Sequence, residues 1–249
     1  MARGSVFLIG GGWNEAGFAH TYGPFVAAAG GGSAPIACVL LDHEDRDEYF
    51  ARSAAAFAAV GADRLFPVFV SPDRPLQQSD VRDAAGILVG GGLTPEYHDA
   101  IVPAAGSWLR DLVGGGMAYA GFSAGAMIAP EAGIIGGWKL RQGSVDLEIC
   151  SEDVSEDEEY LDIRPGIGLV PFAVDVHASQ YGTPTRLLHA VKSGMVSHGW
   201  AVDEDTAIEV TDGRVTVCGL GSAYHARPDG DGLMVTILGN GDSVDMLGT

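Results

Sequence analysis

The sequence predicts an α/β protein with a doubly wound, mostly parallel sheet. Three observations carry that prediction. Short apolar runs alternate with stretches of helical spacing through the first two thirds of the chain. Glycine-rich turns follow two of those runs, at residues 10–12 and 90–92. From residue 198 onward the pattern changes to short alternating segments broken by Asp-Gly and Asn-Gly pairs, which favour tight hairpins. Repeated strand–helix–strand order means a parallel sheet covered on both faces, with sites at the carboxyl ends of its strands.

The elements follow in order. "SVFLI" (5–9), "PIACVLL" (35–41), "RLFPVFV" (64–70), "GILVG" (86–90) and "MAYAGF" (117–122) are apolar almost throughout, as strands buried on both faces must be. Residues 46–62 and 94–113 have helical spacing, the second with Thr94 as N-cap and Pro95 at the first helical position. Residues 143–162 are strongly acidic and include no Lys or Arg. "GIGLVPFAVDVH" (166–177) returns to strand character, and "TPTRLLHAVKSG" (183–194) reads as a capped helix ending at Gly194. The tail is expected to form antiparallel hairpins packed on the main sheet. With no internal repeat or linker, residues 1–249 read as one α/β domain whose hairpin-rich part spans about 198–249.

Composition narrows the function classes. The 249 residues are 47% hydrophobic, enough for one substantial core. A net charge of −19 argues against a nucleic-acid partner, which needs a basic face. No run is long enough to span a membrane. Cys38, Cys150 and Cys218 are widely spaced and odd in number, so neither a disulfide framework nor a metal site is expected, and a reducing cytoplasm is the default. Lysine is scarce while Ala and Gly abound, as in a GC-rich bacterial genome.

The chemistry centres on "GFSAG" (121–125), a G-x-S-x-G stretch between a strand and a helix. A serine on such a turn is held exposed in strained backbone, and its neighbours must be small. The helix that follows would turn its N-terminus toward developing negative charge. Among seven histidines His177 is the best placed base, because it ends the apolar "FAVDVH". Oxyanion donors are expected from the Ala124 amide and from the "LVGGGLT" turn. Neither that turn nor "IGGGWN" completes a nucleotide-binding motif, so no cofactor is expected. With chain order Ser, acid, His, the acid would fall within the acidic stretch, where Asp146, Glu148, Glu152 and Asp153 all qualify.

These residues resemble the serine peptidase family that contains aspartyl dipeptidase (dipeptidase E) and cyanophycinase. The resemblance rests on "VGGGLT" before a helix, "GFSAGA", "PGIGLVPFAVDVH" followed by an Arg-bearing helix, and "WAVDEDTAIEV". It implies a flavodoxin-like fold similar to class I glutamine amidotransferases, with Ser where those enzymes carry Cys. It places Ser123 on the nucleophile, His177 on the base, and Ala124 with Gly91 and Gly92 on the oxyanion hole. It makes Asp146 the nearest match for the acid, with Glu152 and Asp153 as alternatives. It puts Asp175, Tyr181 and Arg186 at substrate-binding positions, Arg186 being able to pair with a carboxylate. Cyanophycinases carry D-Q-H and further arginines; here Val176 replaces the Gln and only Arg186 remains of the set.

The leading expectation is therefore a cofactor-free, metal-free serine peptidase cleaving a small peptide or isopeptide, perhaps an Asp-containing dipeptide, through an acyl-enzyme. An α/β-hydrolase-type esterase and a catalytically silent ligand-binding homologue are the alternatives. The acidic stretch 146–162 is open to three roles: a lid, a disordered flap, or a dimer contact that would make a homodimer.

Overall fold

The structure, a computed structural model, describes residues 4–246. Its centre is a parallel sheet of β1 (Val6–Ile9), β2 (Ile36–Leu41), β3 (Leu65–Val70), β4 (Gly86–Val89) and β5 (Ala118–Phe122), in the order β1-β5-β4-β2-β3. Alternation of side chains along each strand feeds two cores. Val6, Leu8, Ala37, Val39, Ile87, Val89 and Tyr119 enter one. Phe7, Ile9, Cys38, Leu40, Leu88, Ala120 and Phe122 enter the other. The second core is closed by α1 (Phe18–Thr21), α2 (Gly23–Ala28) and α3 (Arg46–Ala59), through Phe18, Phe25 and Phe57. The first is closed by α4 (Thr94–Gly114), through Tyr97, Ile101, Ala105 and Leu109, and by α5 (Ala124–Met127). Apolar side chains therefore cover both faces, as the unbroken apolar runs require.

α4 begins one residue earlier in its capping than the sequence suggests. Leu93 is the N-cap, and Thr94 is already helical. The Glu156 carboxylate accepts the Thr94 N–H at 2.9 Å, so a residue of the acidic stretch supplies the cap from a distance.

Beyond β5 come β6 (Ala132–Gly136), β7 (Lys139–Gln142), β8 (Val145–Glu148) and β9 (Asp162–Pro165), which pair locally as β6–β9 and β7–β8. The acidic stretch thus folds as β8, a short turn at Glu152–Val154 and the approach to β9. Of residues 166–177 only Ala173–Val176 form a strand, β10. It is followed by the single turn α6 (Ala178–Tyr181) and by α7 (Pro184–Lys192).

The remaining strands are β11 (Gly199–Val202), β12 (Thr206–Thr211), β13 (Arg214–Gly219), β14 (Ala223–Asp229), β15 (Gly232–Leu238) and β16 (Ser243–Asp245). They do not simply pack on the main sheet. β12, β13 and β16 extend it beyond β1 as antiparallel edge strands. β14 and β15 join β10 and β11 in a second sheet, ordered β10-β11-β14-β15, in which β10 and β11 are parallel. The turns at Asp212–Gly213 and Gly230–Asp231 close hairpins, with positive φ at Asp212, Gly213 and Gly230. Among the described residues no helix is long and apolar enough to cross a membrane.

Candidate active site

Four strand ends meet at one place. β1 and β5 run in register to Ile9 and Phe122. In the second sheet β10 and β11 run in register to Val176 and Val202. The residues that follow are the glycine turn 10–12, Ser123, His177 and the 203–205 turn. Backbone bonds tie them together: His177 N–H donates to Gly10 O at 3.0 Å, Asp205 N–H to Gly11 O at 2.8 Å, and Ser123 N–H to Ile9 O at 2.9 Å.

Ser123 has φ 51° and ψ −111°, a backbone conformation that L-residues rarely adopt. The glycines around it explain how the turn is reached. A Cβ on Gly121 would stand 2.3 Å from Gly125 O, and one on Gly125 would stand 2.3 Å from Val89 O. Both positions must therefore lack a side chain for strand and turn to close. Gly125 N–H also donates to Gly90 O at 3.1 Å, which docks the elbow on the second glycine turn. The helix that follows is one turn long, so its dipole is small. What it offers is the Ala124 N–H, which opens the helix and has no intrahelical acceptor.

His177 is also held at positive φ, 52°, in the left-handed region. Its Nε2 lies 2.9 Å from Ser123 Oγ. Its ring fits against Gly11, where a Cβ would stand 2.2 Å from Cε1, so the first glycine turn is the bed of the imidazole. Its Nδ1 lies 2.8 Å from Glu204 Oε1. Glu204 is held from two sides. Its N–H donates to Gln180 Oε1, and the neighbouring Asp203 carboxylate accepts from Ser179 N–H and Oγ and from Ser222 N–H. A hydroxyl, an imidazole and a carboxylate linked in this way can move the hydroxyl proton onto the imidazole while the carboxylate fixes the ring's tautomer.

The carboxylate on His177 is therefore Glu204 and none of the candidates from the acidic stretch. Asp146 sits on the exposed β7–β8 hairpin, where hydrogen bonds from Arg141 and then Tyr160 hold its carboxyl below the usual range. Glu152 and Asp153 are exposed in the turn before β9, and Glu148 is exposed at the end of β8. The chain order is Ser, His, acid.

Two residues expected to bind substrate do something else. Arg186 is 2% exposed and Asp175 0%. The guanidinium grips the Asp175 carboxylate through Nε at 2.8 Å and Nη2 at 2.7 Å, and a further N–H donates to Val154 O at 2.6 Å. Buried and paired with a carboxylate of its own, Arg186 is not placed to receive a ligand carboxylate. It ties α7 to β10 and to the acidic segment. We expect Arg186→Met to cost about 3–5 kcal/mol, because Asp175 would remain buried and unpaired. The urea unfolding midpoint should fall accordingly, and Asp175→Leu in the same chain should restore part of the loss.

Tyr181 lies at the site's edge, 53% exposed, its ring 5.0 Å from that of His177. Gly91 faces the nucleophile: a Cβ there would stand 3.1 Å from Ser123 Cβ. Its N–H donates to the Tyr49 hydroxyl at 2.9 Å. Gly92, at φ +148°, turns the chain toward α4. Across from these residues Trp13 packs on Phe122 at 4.9 Å between ring centroids and edge-on to Tyr49 at 5.6 Å. Arg52 lies over the Trp13 ring at 4.3 Å. Neither Tyr49, Trp13 nor Arg52 is marked by any motif in the sequence.

No curated protein matches the chain. Among solved structures it is similar to a peptidase from an acI-B1 Actinobacterium, at 18% identity and a TM-score of 0.65, with 98% of this chain and 97% of that one covered. It is also similar to a peptidase E candidate from Listeria monocytogenes EGD-e, at 17% identity and a TM-score of 0.56, with 88% and 100% covered. At these identities the likeness concerns the fold alone. The sequence match is to peptidase family S51 and runs over residues 7–218, from the first strand through the Ser123 turn, His177 and Glu204. The chain belongs to that family, the family of dipeptidase E, and is a serine-peptidase-type hydrolase.

Proposed function

We propose that this protein cleaves a small peptide or isopeptide through an acyl-enzyme on Ser123, and that the substrate carries an acidic residue at the cleaved bond. The observation that carries the reading is the unbroken chain from Ser123 Oγ to His177 Nε2 at 2.9 Å and from His177 Nδ1 to Glu204 at 2.8 Å. Ser123 Oγ attacks the carbonyl carbon while its proton passes to His177 Nε2. The Ala124 amide and the Gly91–Gly92 turn face the oxygen that gains the electron pair. His177 then gives the proton to the leaving amine, and water attacks the ester by the reverse use of the same groups.

The carboxylate preference rests on Arg52 instead of Arg186. In a chain with 33 acidic and 14 basic residues, Arg52 has no ion-pair partner among the described residues. Stacked on Trp13, which packs on the residue preceding the nucleophile, its guanidinium keeps its in-plane donors open to a carboxylate.

A fluorophosphonate probe should label the wild-type protein and not Ser123→Ala. A panel of Asp-Leu, isoaspartyl-Leu, β-Asp-Arg, Ala-Leu and p-nitrophenyl acetate then assigns the substrate. Cleavage of the ester alone would favour an esterase, and absence of both labelling and cleavage would favour a silent homologue. Arg52→Met should raise KM for the acidic dipeptides about five- to tenfold, the pair being exposed and screened, and leave Ala-Leu unchanged. An unchanged KM for Asp-Leu would remove Arg52 from substrate recognition, and equal rises for Asp-Leu and Ala-Leu would move it from the acidic side chain to the C-terminal carboxylate that both dipeptides carry.

A further inference from the structure

The Gly91 amide, a backbone donor facing the nucleophile, already has an acceptor: the Tyr49 hydroxyl at 2.9 Å. A phenol that accepts one hydrogen bond still has its own proton to give. Among the described residues nothing accepts that proton. Tyr49 thus holds an unspent donor at the end of a short relay from the backbone.

The position of that donor is fixed by Gly91. Tyr49 Oη and Ser123 Cβ flank the same open face of this glycine, each 3.1 Å from the point where a Cβ would stand. A carbonyl oxygen lying across that face, with its carbon on Ser123 Oγ, would meet the phenol. The ring is held in place by α3, by edge-on contact with Trp13, and by the glycine turn itself, whose Gly91 O accepts from Tyr97 at 3.3 Å. Burial raises the Tyr49 hydroxyl above the ordinary phenol range, so it stays protonated and a donor at any physiological pH.

We propose that Tyr49 is a catalytic residue, whose hydroxyl accepts the Gly91 N–H and donates its own hydrogen to the oxyanion formed on Ser123. The inference rests on the acyl-enzyme reading above. In the attack step the Oγ–C bond forms, the carbonyl π pair moves onto oxygen, and the serine proton goes to His177. The Tyr49 proton stays on Tyr49 and only strengthens its bond to the charged oxygen. Polarisation along the amide–phenol–oxyanion line gives the Gly91 dipole a share in the stabilisation.

The test needs no known substrate, because phosphonylation by a fluorophosphonate also builds negative charge on an oxygen beside the serine. Tyr49→Phe keeps the ring and removes the hydroxyl. Removing one oxyanion donor from a serine protease costs about 10²–10³ in rate; with the Gly91 amide freed to donate directly, we expect labelling of Tyr49→Phe to slow about 10–100-fold. Tyr97→Phe, which removes only the bond to Gly91 O, should label within about threefold of wild type. Unchanged or faster labelling of Tyr49→Phe would overturn the proposal, since the hydroxyl would then only plug the amide. Equal slowing in both variants would also overturn it, by assigning the effect to a loosened glycine turn. If wild type fails to label at all, the acyl-enzyme reading itself falls, a result distinct from either.

Discussion

Ser123→Ala is expected to lower hydrolysis of the best dipeptide by roughly 10³–10⁶-fold while leaving the fold intact. The reason lies in how little else the hydroxyl does. Among the described residues its bond to His177 Nε2 is the one hydrogen bond of Ser123 Oγ, so truncation removes about 1 kcal/mol of stability. The turn that holds residue 123 is made by the absent side chains of Gly121 and Gly125 and by the Gly125–Gly90 bond, none of which the substitution touches. The oxyanion donors and His177 stay in place, so a residual rate over water is expected. Each tenfold loss corresponds to about 1.4 kcal/mol of transition-state stabilisation. Activity within tenfold of wild type, in a variant with an unchanged unfolding midpoint, would remove Ser123 from the chemistry.

Much of the fold was legible because its strands are buried on both faces. Such strands leave continuous apolar runs, and 5–9, 35–41, 64–70 and 117–122 became β1, β2, β3 and β5 with shifts of about one residue at their ends. What periodicity does not carry is sheet membership. The "FAVDV" and "GWAV" segments each read as strands, yet nothing local says that they pair with each other, in parallel, away from the main sheet. Nor does a hairpin signal say which sheet the hairpin joins, and the two tail hairpins went to different ones. The exchange of roles at Asp175 and Arg186 had a local sign. A carboxylate in the middle of a buried strand needs a cation of its own, and Arg186, one helix later, was the one in reach.

Ser123 and His177 were legible for a common reason: each directly follows an apolar strand and sits where the chain must turn. Glu204 meets the same criterion. It follows "GWAV" by two residues, at the end of β11, the parallel neighbour of β10. The order Ser, acid, His, which holds in α/β-hydrolases and points to the stretch between Ser123 and His177, is not dictated by geometry. The three groups need only converge, and unrelated folds reach that convergence in different chain orders. The acidic stretch drew attention by its charge density, yet carboxylates gathered on an exposed hairpin mostly face water, as Asp146 does beside Arg141.

The two assignments are separated by a second prediction. Glu204→Gln should reduce kcat about 10²–10⁴-fold, and Asp146→Asn should leave it within twofold. A glutamine is nearly isosteric, so the segment 203–205 should keep its anchors at Gln180, Ser179 and Ser222, which are bonds of the backbone and of Asp203. What changes is the partner of His177 Nδ1. A carboxylate accepts only, which fixes the proton on Nδ1 and leaves Nε2 free to take the serine proton. An amide can turn its NH2 group to the ring and stabilise the opposite tautomer, in which Nε2 carries a proton and cannot act as base. It also supplies no negative charge to balance the imidazolium formed in the transition state. Asp146, by contrast, bonds to Arg141 on its own hairpin and to Tyr160 just before β9, and meets neither ring nitrogen of His177. Parallel kcat measurements on the two variants, with circular dichroism to verify folding, decide the matter. A large loss at Asp146 with none at Glu204 would mean that the carboxylate seated on His177 only positions the ring's neighbours and that the hairpin reaches the site during turnover.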